Sequence, residues 1–111
     1  MTETKMYTSQ VKDFLKRRGH FVQRFEQEGI PDIYTVKDGK VLWIELKVWP
    51  VHWRVGQLAW ISMNEEHGGN TALCLWYKKE IFFLKPQLTY RVEEVENTRS
   101  KETFNGYRNF V

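Results

Sequence analysis

The sequence predicts an α/β domain in which helices flank a mixed sheet. Three observations carry that prediction. Residues 4–18 space their apolar side chains as a helix does; Asp38-Gly39 joins two strand-like runs; and 71–77 (TALCLWY) is nearly all apolar and follows a second helical segment. A chain of 111 residues has the length of one domain.

The elements follow in order. In 4–18, Met6, Val11, Phe14 and Leu15 fall near one helical face, with Lys12, Lys16, Arg17 and Arg18 on the other, and Gly19 stops the helix. Residues 20–27 (HFVQRFEQ) read as a strand, broken by Gly29-Ile30-Pro31. Residues 32–48 read as two strands closed by Asp38-Gly39, a strong hairpin signal. Pro50 ends the second strand because it cannot donate to a ladder. Segment 54–66 is helical, with Val55, Leu58, Ala59 and Ser62 on one face and Gln57, Trp60 and Asn64 on another; Gly68-Gly69-Asn70 terminates it. The 71–77 run suits a strand buried on both faces, with Cys74 as a core residue, and after the charged turn Lys78-Lys79-Glu80 a further strand returns over 81–85. Trp76, Phe82 and Phe83 read as core or interface residues, and 88–96 suits a short helix. The domain is expected over 1–96. The polar tail 97–111, with Phe104, Tyr107 and Phe110 spaced by three, is expected on the core or at a dimer interface.

Composition excludes several classes. Aromatic residues make up 15% of the chain and hydrophobic residues 41%, too many for a disordered linker. A single Cys, Cys74, rules out an intrachain disulfide and a Cys-based zinc site, and fits a reducing compartment. The opening MTETKMYTSQ lacks the apolar region of a signal peptide, and no apolar run is long enough to span a membrane, so the expectation is cytoplasmic work. Net charge is +3, with a pI near 9.0. Residues 1–24 alone carry +4, which reads either as a solvated helix face or as a phosphate-facing patch.

Chemistry concentrates between Asp32 and Lys47. Side chains alternate along a strand, so Trp43, Glu45 and Lys47 emerge on one face and Leu42, Ile44, Leu46 and Val48 on the other. A hairpin closing at Asp38-Gly39 pairs Lys37 with Lys40 and carries Asp32 opposite Glu45, with Cβ atoms about 4.5–5.5 Å apart. Two carboxylates that close repel, and one protonates unless a cation joins them. Carboxylates with water suit Mg²⁺, and Lys47 is placed to stabilise phosphoryl charge or orient water. The alternative is an exposed ladder of salt bridges made by the same three residues.

Pro31-Asp32, a hairpin and Glu45-Leu46-Lys47 together resemble the PD-(D/E)XK nuclease superfamily. The likeness is nearest to its VRR-NUC (virus-type replication-repair nuclease) branch and the archaeal Holliday junction resolvases. It runs from the first helix to about residue 85 and includes the Gly-x-Pro-Asp turn, the WIELK strand, a helix opening with Gln57 (VGQLAWI) and Gly68-Gly69. It implies a restriction-endonuclease-like core of order α-β-β-β-α-β-β. It also implies Mg²⁺ or Mn²⁺ held by Asp32, Glu45 and the Leu46 carbonyl, with Asp32, Glu45, Lys47 and Gln57 catalytic. In that family a Gln on this helix sits beside the active site; the other reading of Gln57 is a solvent-facing helix residue. Related nucleases often carry a further Glu in the first helix. Here that position holds Thr8, so Glu3 and Gln10 remain as alternatives and the number of metals stays open.

DNA is the expected partner. Lys5, Lys12, Lys16, Arg17, Arg24, Arg54 and Lys78 are the candidate phosphate contacts. Trp53, in the loop after the Glu45 strand, is placed either to stack on a base or, with Trp49, to cover the core. His52 is a candidate proton shuttle or an incidental surface residue. The resemblance implies a DNA endonuclease acting on branched replication or repair intermediates, in a bacterial cell or a phage-infected host. Symmetric cuts would need a homodimer. The alternatives are a flap or restriction-type nuclease, or a non-catalytic nucleic-acid-binding module.

Overall fold

Asp38 and Gly39 take φ of 51° and 75°, the left-handed pair of a type I′ turn. On that turn β2 (Ile33–Lys37) and β3 (Lys40–Val48) pair antiparallel, with Lys37 opposite Lys40 and Ile33 opposite Ile44, the register read from the sequence. The computed structural model describes residues 1–86 and Val111, and all structural statements concern these. β1 (Phe21–Arg24) pairs antiparallel with β2. β4 (Asn70–Tyr77) lies parallel to β3, and β5 (Glu80–Leu84) returns antiparallel to β4. The sheet order is β1-β2-β3-β4-β5. Helix α3 (Gln57–Glu66) makes the crossover that a parallel pair requires.

The N-terminal helix differs from the single rod expected over 4–18. It is α1 (Glu3–Met6), a π-helical turn (Tyr7–Val11) and α2 (Lys12–Arg17). The cause is local. The hydroxyls of Thr8 and Ser9 donate to the Thr4 and Lys5 carbonyls, and the Lys12 N–H reaches back to the Tyr7 carbonyl, five residues away. The widened turn accommodates an extra residue, which rotates α1 relative to α2.

The two sheet faces carry two cores. On one face Met6, Tyr7, Val11 and Leu15 pack on Ile33, Leu42, Ile44, Leu46, Ala72, Cys74 and Phe83, and Val111 joins them. His20 Nε2 is hydrogen-bonded to the Val111 carbonyl oxygen. On the other face Leu73, Leu75, Tyr77, Phe82 and Leu84 are covered by Trp49, Val51 and Trp53. Strand β4 is buried on both faces, as its apolar run predicts. Ile44 and Leu46 are fully buried, and each such side chain contributes about 1.5–3 kcal/mol, so β3 is anchored on the face opposite Glu45 and Lys47.

Several boundaries and faces are corrected. β1 is shorter than 20–27, and Phe21 is exposed. Helix α3 starts at Gln57, not 54, after Gly56 in a left-handed conformation with φ 86°. Its buried residues are Gln57 and Ile61, with Trp60 and Asn64 half-buried, whereas Val55 is 92% exposed and Ala59 and Ser62 face solvent. The face carrying Gln57, Trp60 and Asn64 packs inward, with Trp60 edge-on against Trp43 of β3 at 5.1 Å between centroids, and Leu58 on the other face is half-buried. The expected helix at 88–96 and Phe104, Tyr107 and Phe110 lie outside the described residues. Among the described residues no helix is long and apolar enough to cross a membrane.

Candidate active site

Glu45 and Lys47 leave β3 on the same face, two residues apart, and both are buried. Asp32 lies one residue beyond the β2 ladder, where the register continues to Glu45. Two hydrogen bonds hold it there: Phe25 N donates to the Asp32 carbonyl at 2.7 Å, and Leu46 N donates to Asp32 Oδ2 at 2.8 Å. In a strand a residue's N–H and C=O face the same neighbour, so the Leu46 carbonyl shares the edge where Asp32 stands.

Gln57, the first residue of α3, reaches down into this pair. Its Oε1 accepts from Lys47 Nζ at 2.9 Å and from Arg54 N at 2.7 Å, and its Nε2 donates to Glu45 Oε1 at 2.8 Å. Lys47 Nζ lies 3.6 Å from Glu45 Oε1 and 5.2 Å above the Trp53 ring. The salt-bridge ladder weighed from the sequence was an exposed one; Glu45 and Lys47 are 2% and 4% exposed, so the charge is desolvated and its environment is specific.

Burial is the largest cause pushing the Glu45 carboxyl up, to about 9; the Asp32 charge and a hydrogen bond with Asp32 add to it, Lys47 opposes it and Glu3 adds a smaller push. The Asp32–Glu45 contact is a hydrogen bond only while one carboxyl carries a proton. With both ionised, Glu45 Oε2 is a buried oxygen without a donor. Glu3 completes the local charge. Burial first, then the Asp32 charge, raises its pKa, while Lys47, Arg54 and Arg24 lower it. A cavity of about 310 Å³ opens beside Lys47, and Glu3, His52 and Arg54 line it.

This arrangement fits a divalent cation. Two carboxylates, a buried oxygen without a donor and a main-chain carbonyl on the same edge are the ligand types of an ion that retains much of its water. Among the described residues no group of three or more His, Cys, Asp or Glu closes around one point, so the acidic core is the Asp32–Glu45 pair.

The expected site residues separate into two sets. Asp32, Glu45, Leu46, Lys47 and Gln57 converge, and Arg54 borders them. Arg24 donates to Thr4 Oγ1 at 3.1 Å and stacks over Tyr7, on the Glu3 side. Trp53 packs on the second core and lies under the Lys47 ammonium, which is the core-covering role weighed for it from the sequence. Lys16 and Arg17, by contrast, line a different cavity of about 440 Å³ with Gln10. Lys5 is exposed on α1, Lys12 is half-buried at the start of α2, and Lys78 stands over Tyr77 at the β4–β5 turn. Of the two first-helix alternatives, Glu3 lines the cavity beside Lys47 and Gln10 lines the other one. Helical spacing without the π-turn does not reveal this. The Thr8 hydroxyl instead bonds the carbonyls of α1.

The sheet order, the antiparallel hairpin that carries Asp32 and Glu45, and the α3 crossover define a restriction-endonuclease-like α/β fold. Among solved structures the chain is similar to Hjc of Archaeoglobus fulgidus, a Holliday junction resolvase from an archaeal hyperthermophile. The TM-score is 0.58 at 15% identity, over 86% of this chain and 95% of that one. No protein-family model matches the sequence, and no curated protein does.

Proposed function

We propose that this chain is a divalent-metal-dependent deoxyribonuclease that hydrolyses phosphodiester bonds in branched DNA, such as a Holliday junction or a related replication or repair intermediate. The single observation that carries the nuclease reading is the buried Glu45 carboxyl paired with half-buried Asp32, with an oxygen of Glu45 left without a donor beside Lys47. Support for branched DNA is the fold shared with a resolvase, which is an argument by likeness.

Asp32, Glu45 and the Leu46 carbonyl would hold Mg²⁺ or Mn²⁺. When bound, the cation supplies charge that keeps both carboxylates ionised and Lewis-acid assistance to hydrolysis. Lys47 presents its ammonium to the phosphoryl oxygens as negative charge develops there. Gln57 holds Lys47 and Glu45 in register with each other. Arg54, which lines the cavity, and Arg24, on the Glu3 side, provide positive charge for the DNA backbone. Paired cuts in a four-way junction require two copies, so a homodimer belongs to this reading. A monomer in analytical ultracentrifugation at working concentration counts against it.

The test is cleavage of labelled four-way junction, flap and linear duplex in Mg²⁺ by the wild type and by Glu45→Gln. The wild type is expected to cut the junction in preference, and Glu45→Gln to bind it without cutting. Preferred cutting of the flap or duplex would replace the substrate. DNA binding without cutting of any substrate, indifferent to Mg²⁺, would leave a non-catalytic binding module.

A further inference from the structure

The segment from Val48 to Arg54 is a strap with two faces. Trp49, Val51 and Trp53 pack on Leu73, Leu75, Tyr77, Phe82 and Leu84. Val48, Pro50, His52 and Arg54 line the cavity beside Lys47. The main chain is tied at both ends, by Trp49 N donating to the Trp76 carbonyl at 2.9 Å and by Arg54 N donating to Gln57 Oε1 at 2.7 Å. His52 is thus exposed, but its neighbours on either side hold it over the cavity that Lys47 and Glu3 also line.

We infer that His52 is the general acid that protonates the leaving oxygen of the phosphodiester. This deepens the nuclease reading and rests on it. Hydrolysis forms a bond from water oxygen to phosphorus and breaks the bond from phosphorus to the leaving sugar oxygen, which departs with the electron pair. A sugar alkoxide leaves poorly, so a proton delivered as the bond breaks lowers the barrier. The His52 imidazolium gives that proton, the products are an alcohol and a phosphate monoester, and the neutral ring recovers a proton from bulk water. The charged side chains lining the same cavity are Glu3, Lys47 and Arg54. Lys47 is held by Gln57 and Glu45 and serves the phosphoryl oxygens, a guanidinium does not release its proton, and Glu3 is the other side chain there that can carry one. An imidazole is the side chain that ordinarily exchanges protons near neutral pH.

The experiment compares wild type with His52→Gln on two junctions in Mg²⁺. One is all-oxygen; the other carries sulfur in place of the leaving bridging oxygen at the mapped cut site. Sulfur leaves without needing a proton. His52→Gln is expected to lower kcat on the oxygen substrate by about 100-fold or more and to leave the sulfur substrate within about threefold of wild type. Binding of the junction without divalent cation is expected to be unchanged. Equal losses on both substrates, or no loss on oxygen, would overturn the inference while the nuclease reading stands. A wild type that cuts no junction, flap or duplex would remove both, and one that prefers flap or duplex moves the same oxygen–sulfur comparison to that substrate.

Discussion

Gln57 Nε2 donates to Glu45 Oε1 at 2.8 Å, while Glu45 Oε2 has no donor. The first residue of a helix thereby selects which oxygen of a strand carboxylate is left for a ligand. Its own Oε1, doubly occupied by Lys47 and by the main chain of Arg54, fixes the amide in one orientation. Groups that orient a metal ligand typically matter by 10- to 100-fold. Gln57→Leu is therefore expected to raise the Mg²⁺ concentration needed for half-maximal cleavage by about 10- to 100-fold. A Mg²⁺ titration of initial rates checks it, and an unchanged midpoint would make Gln57 a packing residue only.

Stability without divalent cation should depend on pH in a definite direction. The Glu45 carboxyl is raised to about 9, first by burial and then by Asp32, so the folded chain holds a proton that the unfolded chain loses. The full contribution is present below the ordinary carboxylate range and is lost as pH rises towards the raised value. The melting temperature in EDTA is expected to fall between about pH 5 and pH 9. Glu45→Gln should flatten that slope, and Mg²⁺ should raise the melting temperature of the wild type more than that of Glu45→Gln. A wild-type melting temperature that rises over the same range would contradict a protonated, buried Glu45.

Lys78 and Lys79 both adopt positive φ, 48° and 63°, in the two-residue turn joining β4 to β5. That is a type I′ conformation, which favours Asn, Asp and Gly over lysine. Replacing the pair with Asn-Gly is expected to stabilise the fold by about 0.5–1 kcal/mol in urea unfolding. Destabilisation would mean that the lysine side chains contribute more than the strain costs.

Burial pushes the Cys74 thiol well above its ordinary range, and the reactive species is the thiolate. Cys74 should resist alkylation in the native protein and react only on unfolding. Labelling at the native rate of a free thiol would place it at the surface.

Leu46 is fully buried in the first core while its main chain holds Asp32. Leu46→Ala is expected to cost about 2–5 kcal/mol, since the site collapses only partly around the lost volume. Chemical unfolding measures this, and a cost below that range would mean that the core relaxes around β3.

Much of the site was legible because it is local in the chain. The Asp38-Gly39 turn determines the hairpin register, the register sets Asp32 beside Glu45, and a period of two puts Glu45 and Lys47 on one face. These relations need no knowledge of distant residues. The structure alone decided the rest. Thr8 and Ser9 widen a turn, and Glu3 rather than position 8 lines the cavity beside Lys47. Trp43 draws the Trp60 side of α3 inward, so that Gln57 meets Glu45 and Lys47. A second core pins alternate residues of the strap and leaves His52 and Arg54 over the cavity. Lys16 and Arg17, close to the others in charge and sequence, face a separate cavity. Turn chemistry and strand alternation act over a few neighbouring residues, whereas the face a helix or loop buries depends on which partner surface the completed fold offers it.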